Sequence, residues 1–396
     1  MSLANQNPRF SQRIADLHPS PIREILAVIE RPGMISFAGG LPSADTFPEL
    51  TLDGMPITSL QYGASEGDTA LRERVADELN ERGLRCDPAQ VIILSGSQQG
   101  IDLVAKLFID AGTPVAVESP TYLAALQVFR YFGASFSELD AKLPQAGLSS
   151  QNRPAFAYAI PTFQNPTGHC YSTAERDNLA AACDALQVPL FEDDPYRDLV
   201  FDDCDRTPVC ARLKRASWVY QGSFSKSLAP GLRLGYLVAS PDLLPYLVRL
   251  KQAADLHSNR LSQWLVLEQL RSPERTTRTA GLVDTYRRRR DAFACALAQH
   301  FAGLADWEIP PGGLFFWLEL KAKIDTRQLL TAAIERGVAF MPGEAFFADA
   351  ASARSTLRLN FSHASEADAE RGLALLAELL KEETARQLRA VRAESR

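Results

Sequence analysis

The sequence predicts an α/β protein in which a large domain, a mostly parallel sheet flanked by helices, is joined to a smaller α+β domain. Three observations carry this. From about residue 90 to 290, short apolar and β-branched runs alternate with longer amphipathic ones, the pattern of strands linked by helices. Beyond Pro310-Pro311-Gly312-Gly313 the texture changes to strand, helix, two strands and a closing helix. The 396 residues also exceed the roughly 250 to 300 at which a single core stops growing.

In chain order, residues 1–35 are expected to form an N-terminal segment with a helix around Pro21–Ile29 that packs near the small domain. Pro21 suits a first helical turn and Pro32-Gly33 ends the run. Residues 36–300 are the large domain. Its expected strands are Val91–Leu94, Val115–Val117, Ala155–Ile160, Pro189–Glu192, Trp218–Gln221 and Leu234–Val238. Its expected helices include Gln98–Ile109, Thr173–Leu186, Pro241–Gln252 and Glu274–His300. Residues 301–396 are the small domain, with strand Leu314–Leu320, helix Thr326–Arg336, strands Val338–Met341 and Thr356–Phe361, and a helix from Glu366.

Composition narrows the function. A net charge of −6 offers no basic surface for nucleic acid, and the Arg287–Arg290 run reads as a solvated helix face. The six cysteines show no CxxC pairs and no His-rich partner segment, which argues against a zinc site and for a reducing cytoplasm. The N-terminus lacks the apolar core of a signal peptide, and the uncharged run from Pro154 to Ala174 is broken by prolines, Asn165 and Gly168, so no membrane span is expected.

Polar, small and Gly/Pro-rich clusters recur at the carboxyl ends of consecutive expected strands: Ser95–Gln99, Glu118–Tyr122, Pro161–Gly168, Glu192–Tyr196 and Gly222–Lys226. Each alone reads as an ordinary strand–helix turn. Together they face one crevice, because ligands of open α/β sheets bind outside those strand ends. Ser95-Gly96-Ser97-Gln98 leads into a helix whose free N–H groups and dipole suit a phosphate. Two hydroxyls beside Lys226, and Arg233 seven residues on, complete a phosphate cradle with an amine inside it. A GxxxxGK[ST] loop is absent, which removes support for a P-loop nucleotide site.

These residues resemble the fold-type I pyridoxal 5'-phosphate (PLP) enzymes, and within them the class I/II aminotransferases of the 2-aminoadipate and kynurenine group. The resemblance covers nearly the whole chain and rests on GSFSKSLAPGLRLGY (222–236), QNPTG (164–168), EDDPYRDL (192–199) and FAGGLPSADTFP (37–48). It implies that Lys226 links covalently to the cofactor and then serves as general base. Asp193, three residues before Tyr196, is implied as partner of the pyridine nitrogen in preference to Glu192 and Asp194. Tyr196 and Asn165 are implied to bind the ring's phenolic oxygen and Tyr122 to stack on the ring. Ser97, Gln98, Ser223, Ser225 and Arg233 are implied phosphate ligands. Tyr62 matches a tyrosine that reaches the phosphate from a neighbouring subunit, so a homodimer with active sites at the subunit interface is implied.

For substrates, Arg358 resembles the arginine that binds the α-carboxylate, with Asn165 and Gly40 beside it. Arg23 matches an arginine on a mobile N-terminal helix that meets the distal carboxylate of acidic substrates; a surface helix arginine is the competing reading. Phe37, Phe346 and Phe347 lie in segments expected to line the cleft, favouring aromatic or other apolar side chains. The expected activity is ping-pong transfer of an amino group from 2-aminoadipate, glutamate, or an aromatic or apolar amino acid to a 2-oxo acid such as 2-oxoglutarate. A PLP-dependent lyase or decarboxylase shares the same cofactor grip. An aminotransferase-like regulator is disfavoured, because only about 30 residues precede the pattern, too few for a helix-turn-helix module.

Overall fold

The computed structural model describes residues 11, 13–14, 33–148, 153–349 and 355–394. Arg23 and the expected helix at 21–29 lie outside them. Among the described residues no helix is long and apolar enough to cross a membrane.

The main sheet has seven strands: β2 (Val91–Leu94), β3 (Pro114–Val117), β4 (Ser135–Glu138), β5 (Ala157–Ala159), β6 (Leu190–Asp194), β7 (Trp218–Ser223) and β8 (Gly235–Ala239), in the order β2-β8-β7-β6-β5-β3-β4. Every pairing is parallel except those of β8, which runs antiparallel to both β2 and β7. Alternate side chains feed two apolar clusters on opposite faces: Val91, Ile93, Leu190 and Tyr220 on one, Ile92, Leu94, Phe191 and Val219 on the other. Both faces are covered by helices, which is why these strands read as continuous apolar runs rather than alternating ones.

The reversal of β8 positions the site. Its first residue, Gly235, pairs with the last residues of β2 and β7, Leu94 and Ser223. Arg233, just ahead of β8, therefore reaches the sheet edge where the residues after β2 and β7 emerge. Strands β6 and β7 also extend further than expected, so that Asp193, Asp194, Gly222 and Ser223 are strand residues rather than turn residues.

A second sheet is antiparallel, ordered β12 (Met341–Pro342), β13 (Thr356–Asn360), β10 (Phe315–Leu320) and β9 (Ala305–Trp307), and pairs Trp317 with Arg358. The single strand expected at Val338–Met341 is split. Val338–Ala339 (β11) pairs in parallel with Ile35–Ser36 (β1), while Met341–Pro342 pairs with β13. A strand with two partners must break, and the fully buried Phe340 sits at the change-over. The same contacts tie the residues after β1 down, since Asn360 N–H donates to the Phe37 carbonyl at 2.8 Å.

Candidate active site

Ten of the residues singled out from the sequence border one cleft of about 260 Å³ at the carboxyl ends of β2, β5, β6 and β7: Ser97, Gln98, Tyr122, Asn165, Asp193, Tyr196, Ser223, Ser225, Lys226 and Arg233.

One end of the cleft is an anion cradle. The helix Ser97–Phe108 begins on Gly96 with no side-chain cap, which leaves its first N–H groups free for a ligand. Gly96 has φ +81°, and a Cβ there would lie 2.6 Å from Arg233 Nη2, so only glycine lets the guanidinium pack over the helix start. Ser223 and Ser225 complete this end, the Ser225 N–H donating to Ser223 Oγ at 3.2 Å.

At the other end, three consecutive acids are sorted by strand alternation. Glu192 accepts from the Cys210 N–H at 2.8 Å, and Asp194 accepts from Tyr220 Oη at 2.8 Å and pairs with Arg197. Asp193 lies on the opposite face and borders the cleft. Tyr158 Oη donates to its Oδ2 at 2.8 Å and Gln221 Nε2 to its Oδ1 at 2.9 Å. Burial pushes the Asp193 carboxyl up to about 6, with these two hydrogen bonds opposing the rise. Both donors are neutral, so this is a buried carboxylate to which the described residues bring no cation, an expensive arrangement unless a ligand supplies one.

Tyr158 and Gln221 were not singled out from the sequence. Gln221 sits directly opposite Asp193 in the β6–β7 register, a relation visible only once the two strands are known to be neighbours. Gly100 makes room for it, because a Cβ there would meet Gln221 Oε1 at 1.9 Å.

The opposite charge problem occurs at Arg358, buried on β13. Its Nη1 donates to Asn165 Oδ1 at 2.8 Å and its Nη2 to the Ala38 carbonyl at 2.7 Å, while Nε has no partner. The guanidinium lies 4.1 Å from the Phe315 ring centre and 4.9 Å from that of Phe346. No carboxylate pairs with it among the described residues, and burial lowers its pKa to about 10. Asn165 in turn donates from Nδ2 to Tyr196 Oη at 3.2 Å, so one amide links the arginine to the cleft tyrosine. Lys226 Nζ donates to the Gly40 carbonyl at 2.7 Å. Removal from water, then the charges of Arg358 and Arg233, lower its pKa to about 8.

Other positions fall elsewhere. Tyr62 is 77% exposed, its ring 5.7 Å from that of His257 and its carbonyl accepting from Arg260 Nη1; it does not line the cleft of its own chain. Phe37 is fully buried against Phe293 rather than lining the cleft, and Phe346 backs Arg358.

The family model "Aminotransferase class I and II" matches residues 39–376. The aromatic-amino-acid aminotransferase 1 of Thermococcus litoralis is 35% identical, with 94% of each chain covered. Among solved structures, the kynurenine aminotransferase of Pyrococcus horikoshii superposes with a TM-score of 0.87 at 33% identity, covering 95% of this chain and 97% of that one. The alpha-aminoadipate aminotransferase of Thermus thermophilus, complexed with N-(5'-phosphopyridoxyl)-L-leucine, gives a TM-score of 0.84 at 36% identity, covering 94% of this chain and 97% of that one.

Proposed function

Because the chain belongs to the class I and II aminotransferases, and these are PLP enzymes acting on amino and 2-oxo acids, we propose that its cleft moves the amino group of an L-amino acid to 2-oxoglutarate or a similar acceptor. The observation that carries this reading is a pair of complementary charges without an ionic partner among the described residues: a buried carboxylate, Asp193, which lines the cleft with Lys226, and a buried guanidinium, Arg358, bonded to the cleft residue Asn165. The donors present fit PLP: Ser97, Gln98, Ser223, Ser225 and Arg233 would hold its phosphate and Asp193 its ring nitrogen. When bound, it supplies an electron-accepting ring next to the substrate Cα.

The chain's own groups do the rest. Arg358 clamps the α-carboxylate with the fork that Phe315 and Phe346 hold flat. Asn165, fixed by Arg358, aims its amide at Tyr196, and the two serve the ring's oxygen. Tyr122 covers the ring. Lys226 would hold the cofactor, and its amine is placed to take the proton from the substrate Cα and give it back. Its lowered pKa keeps a useful neutral fraction near neutral pH. The donors are 2-aminoadipate, glutamate and aromatic or apolar amino acids, with Arg23 serving the acidic ones. The working division is cofactor grip from residues 36–300 and Arg358 from 301–396.

The test is the near-ultraviolet and visible spectrum of the purified protein. Its visible band should bleach with a donor amino acid alone and return with 2-oxoglutarate. A band unmoved by every donor would overturn the reading in favour of a lyase or regulator.

The reading extends to a homodimer. Phe47, Leu50, Leu52, Ile57, Leu60 and Tyr62 form a run of exposed large side chains, the kind of surface a second copy covers, and it would carry Tyr62 to the partner's phosphate end. Sedimentation should show twice the 43.5 kDa chain mass, and a monomer at micromolar concentration would remove the claim. Six unpaired cysteines suit the cytoplasm; recovery of the protein from an exported fraction would contradict that placement.

A further inference from the structure

Two buried ionisable side chains behind the cleft close on one loop. Residues 161–171 leave the end of β5, carry Asn165 at their turn and come back to where they started, the Tyr171 N–H donating to the Pro161 carbonyl at 2.8 Å. Inside the loop the Gln164 N–H donates to the His169 carbonyl at 2.8 Å and the Gly168 N–H to the Gln164 carbonyl at 2.7 Å. The loop contains neither helix nor strand, so its shape depends on what grips its neck.

Glu118, just beyond β3 and 5% exposed, takes the donors of that neck. Its Oε2 accepts from the Ile160 N–H at 2.9 Å, at the entry to the loop, and its Oε1 from Tyr171 Oη at 2.7 Å, at the exit. Burial pushes its carboxyl up to about 7, the bonds from Tyr171, Ile160 and Gln164 opposing the rise and the Asp193 charge adding to it. Arg176, fully buried on the helix Thr173–Leu186, takes the acceptors. It donates to the carbonyls of Tyr171 (3.1 Å) and Pro161 (2.9 Å) and to Thr162 Oγ1 (3.1 Å), and beyond the neck to the Thr207 carbonyl (3.1 Å) and Cys170 Sγ (3.6 Å). Glu192 is the carboxylate whose charge acts on it. Between them the two side chains satisfy polar groups that a buried loop cannot leave unpaired. The segment after Glu118 joins the same assembly: the Pro120 carbonyl accepts from Gln164 Nε2 at 2.7 Å, and the Thr121 N–H donates to the carbonyl of Phe346, whose ring backs Arg358, at 2.8 Å.

We infer that Glu118 is a positioning residue for substrate binding: together with Arg176 it fixes the neck of the 161–171 loop, and so the place at which Asn165 meets Arg358. The inference rests on the transamination reading and extends it to a residue that does not itself line the cleft. What Glu118 supplies is geometry rather than charge. An amide at position 118 can accept from the Ile160 N–H with its oxygen and donate to Tyr171 Oη with its nitrogen, the hydroxyl turning from donor to acceptor. A methyl group can do neither and leaves a buried N–H without a partner. Because the α-carboxylate is held alike before and during the reaction, a displaced Asn165–Arg358 pair raises KM more than it lowers kcat.

The experiment compares the PLP-loaded wild-type, E118Q and E118A proteins, each well below its own melting temperature. It reads 2-oxoglutarate binding by calorimetry with no amino donor present, and the KM and kcat for an amino donor. E118A is expected to bind both at least about tenfold more weakly, with kcat lowered by less than KM rises, and to keep its PLP; E118Q should stay within about threefold of wild type. Y171F removes one of the two contacts and keeps the ring. It should weaken both substrates by about threefold, and it decides the matter if E118A does not fold. Wild-type affinities in E118A, or in Y171F where E118A cannot be measured, would overturn the inference. So would an E118Q protein as impaired as E118A, since the charge and not the clamp would then be the cause. A wild-type visible band that no donor bleaches would instead sink the transamination reading, and this inference with it.

Discussion

The K226A protein is expected to lose about 10⁴-fold or more in kcat, since under the proposed function it removes at once the nucleophile that would anchor the cofactor and the base that would move the Cα proton. A positioned general base alone contributes roughly 10² to 10⁴, and covalent attachment adds to that. The phosphate end is untouched by the change, so PLP should still bind, without the visible band of the lysine-linked form. Exogenous small amines should restore part of the half-reaction. The pH response separates chemistry from structure. Lys226 is lowered from 10.5 to about 8, so its neutral amine gains as pH rises and saturates above that value. Capture of PLP by cofactor-free wild-type protein should therefore accelerate as pH rises towards about 8 and then level off, and K226A should show no such limb. Lys251 is the control. It is also buried, but it is held by Asp255 at 2.7 Å and by Ser258, so K251A should lower stability while leaving the spectral half-reaction in place. A K226A enzyme keeping more than about one hundredth of the activity would sink the assignment.

Much of the site was legible because its residues sit where strands end and helices begin, and those junctions leave local marks. The glycine ahead of Ser97, the hydroxyl-rich segment before Lys226 and the Asn165 turn each stand out without knowledge of their neighbours. What the sequence withheld depends on pairing. Tyr158 reads as one more strand aromatic and Gln221 as one more strand polar until β5, β6 and β7 lie side by side and both point at Asp193. The direction of β8, which brings Arg233 against Gly96 at the helix start, is likewise a property of the sheet and not of the segment Gly235–Ala239. Strand β4 leaves little mark in the sequence because Ser135–Glu138 is a partly exposed edge strand with only one apolar residue. The break within Val338–Met341 follows from two different partners, which no run of apolar residues announces.

Substituting Asp193 by asparagine isolates a charge in a way few active-site changes do. The side chain keeps its shape, and the one hydrogen bond it must reverse has a ready answer. Gln221 Oε1 is buried with no partner, so turning the Gln221 amide over would let that oxygen accept from the amide introduced at position 193, while Tyr158 continues to donate to its carbonyl. The fold should therefore tolerate D193N with little change in Tm. Catalysis should not, because under the proposed function the ring nitrogen would lose its buried counter-charge. Breaking such a pair costs about 3 to 5 kcal/mol, which corresponds to a kcat lower by about 10² to 10⁴. Asp194, one residue on, faces the other way and holds Tyr220 and Arg197; D194N should destabilise the protein while leaving the bound cofactor's response to amino acids qualitatively intact. Spectral half-reactions and thermal melts of the two variants, run together, give opposite patterns if strand alternation assigns the acids correctly. A D193N enzyme within about threefold of wild-type kcat, or a D194N enzyme that melts normally but cannot bleach its visible band, would mean that the wrong face of β6 has been given the chemistry.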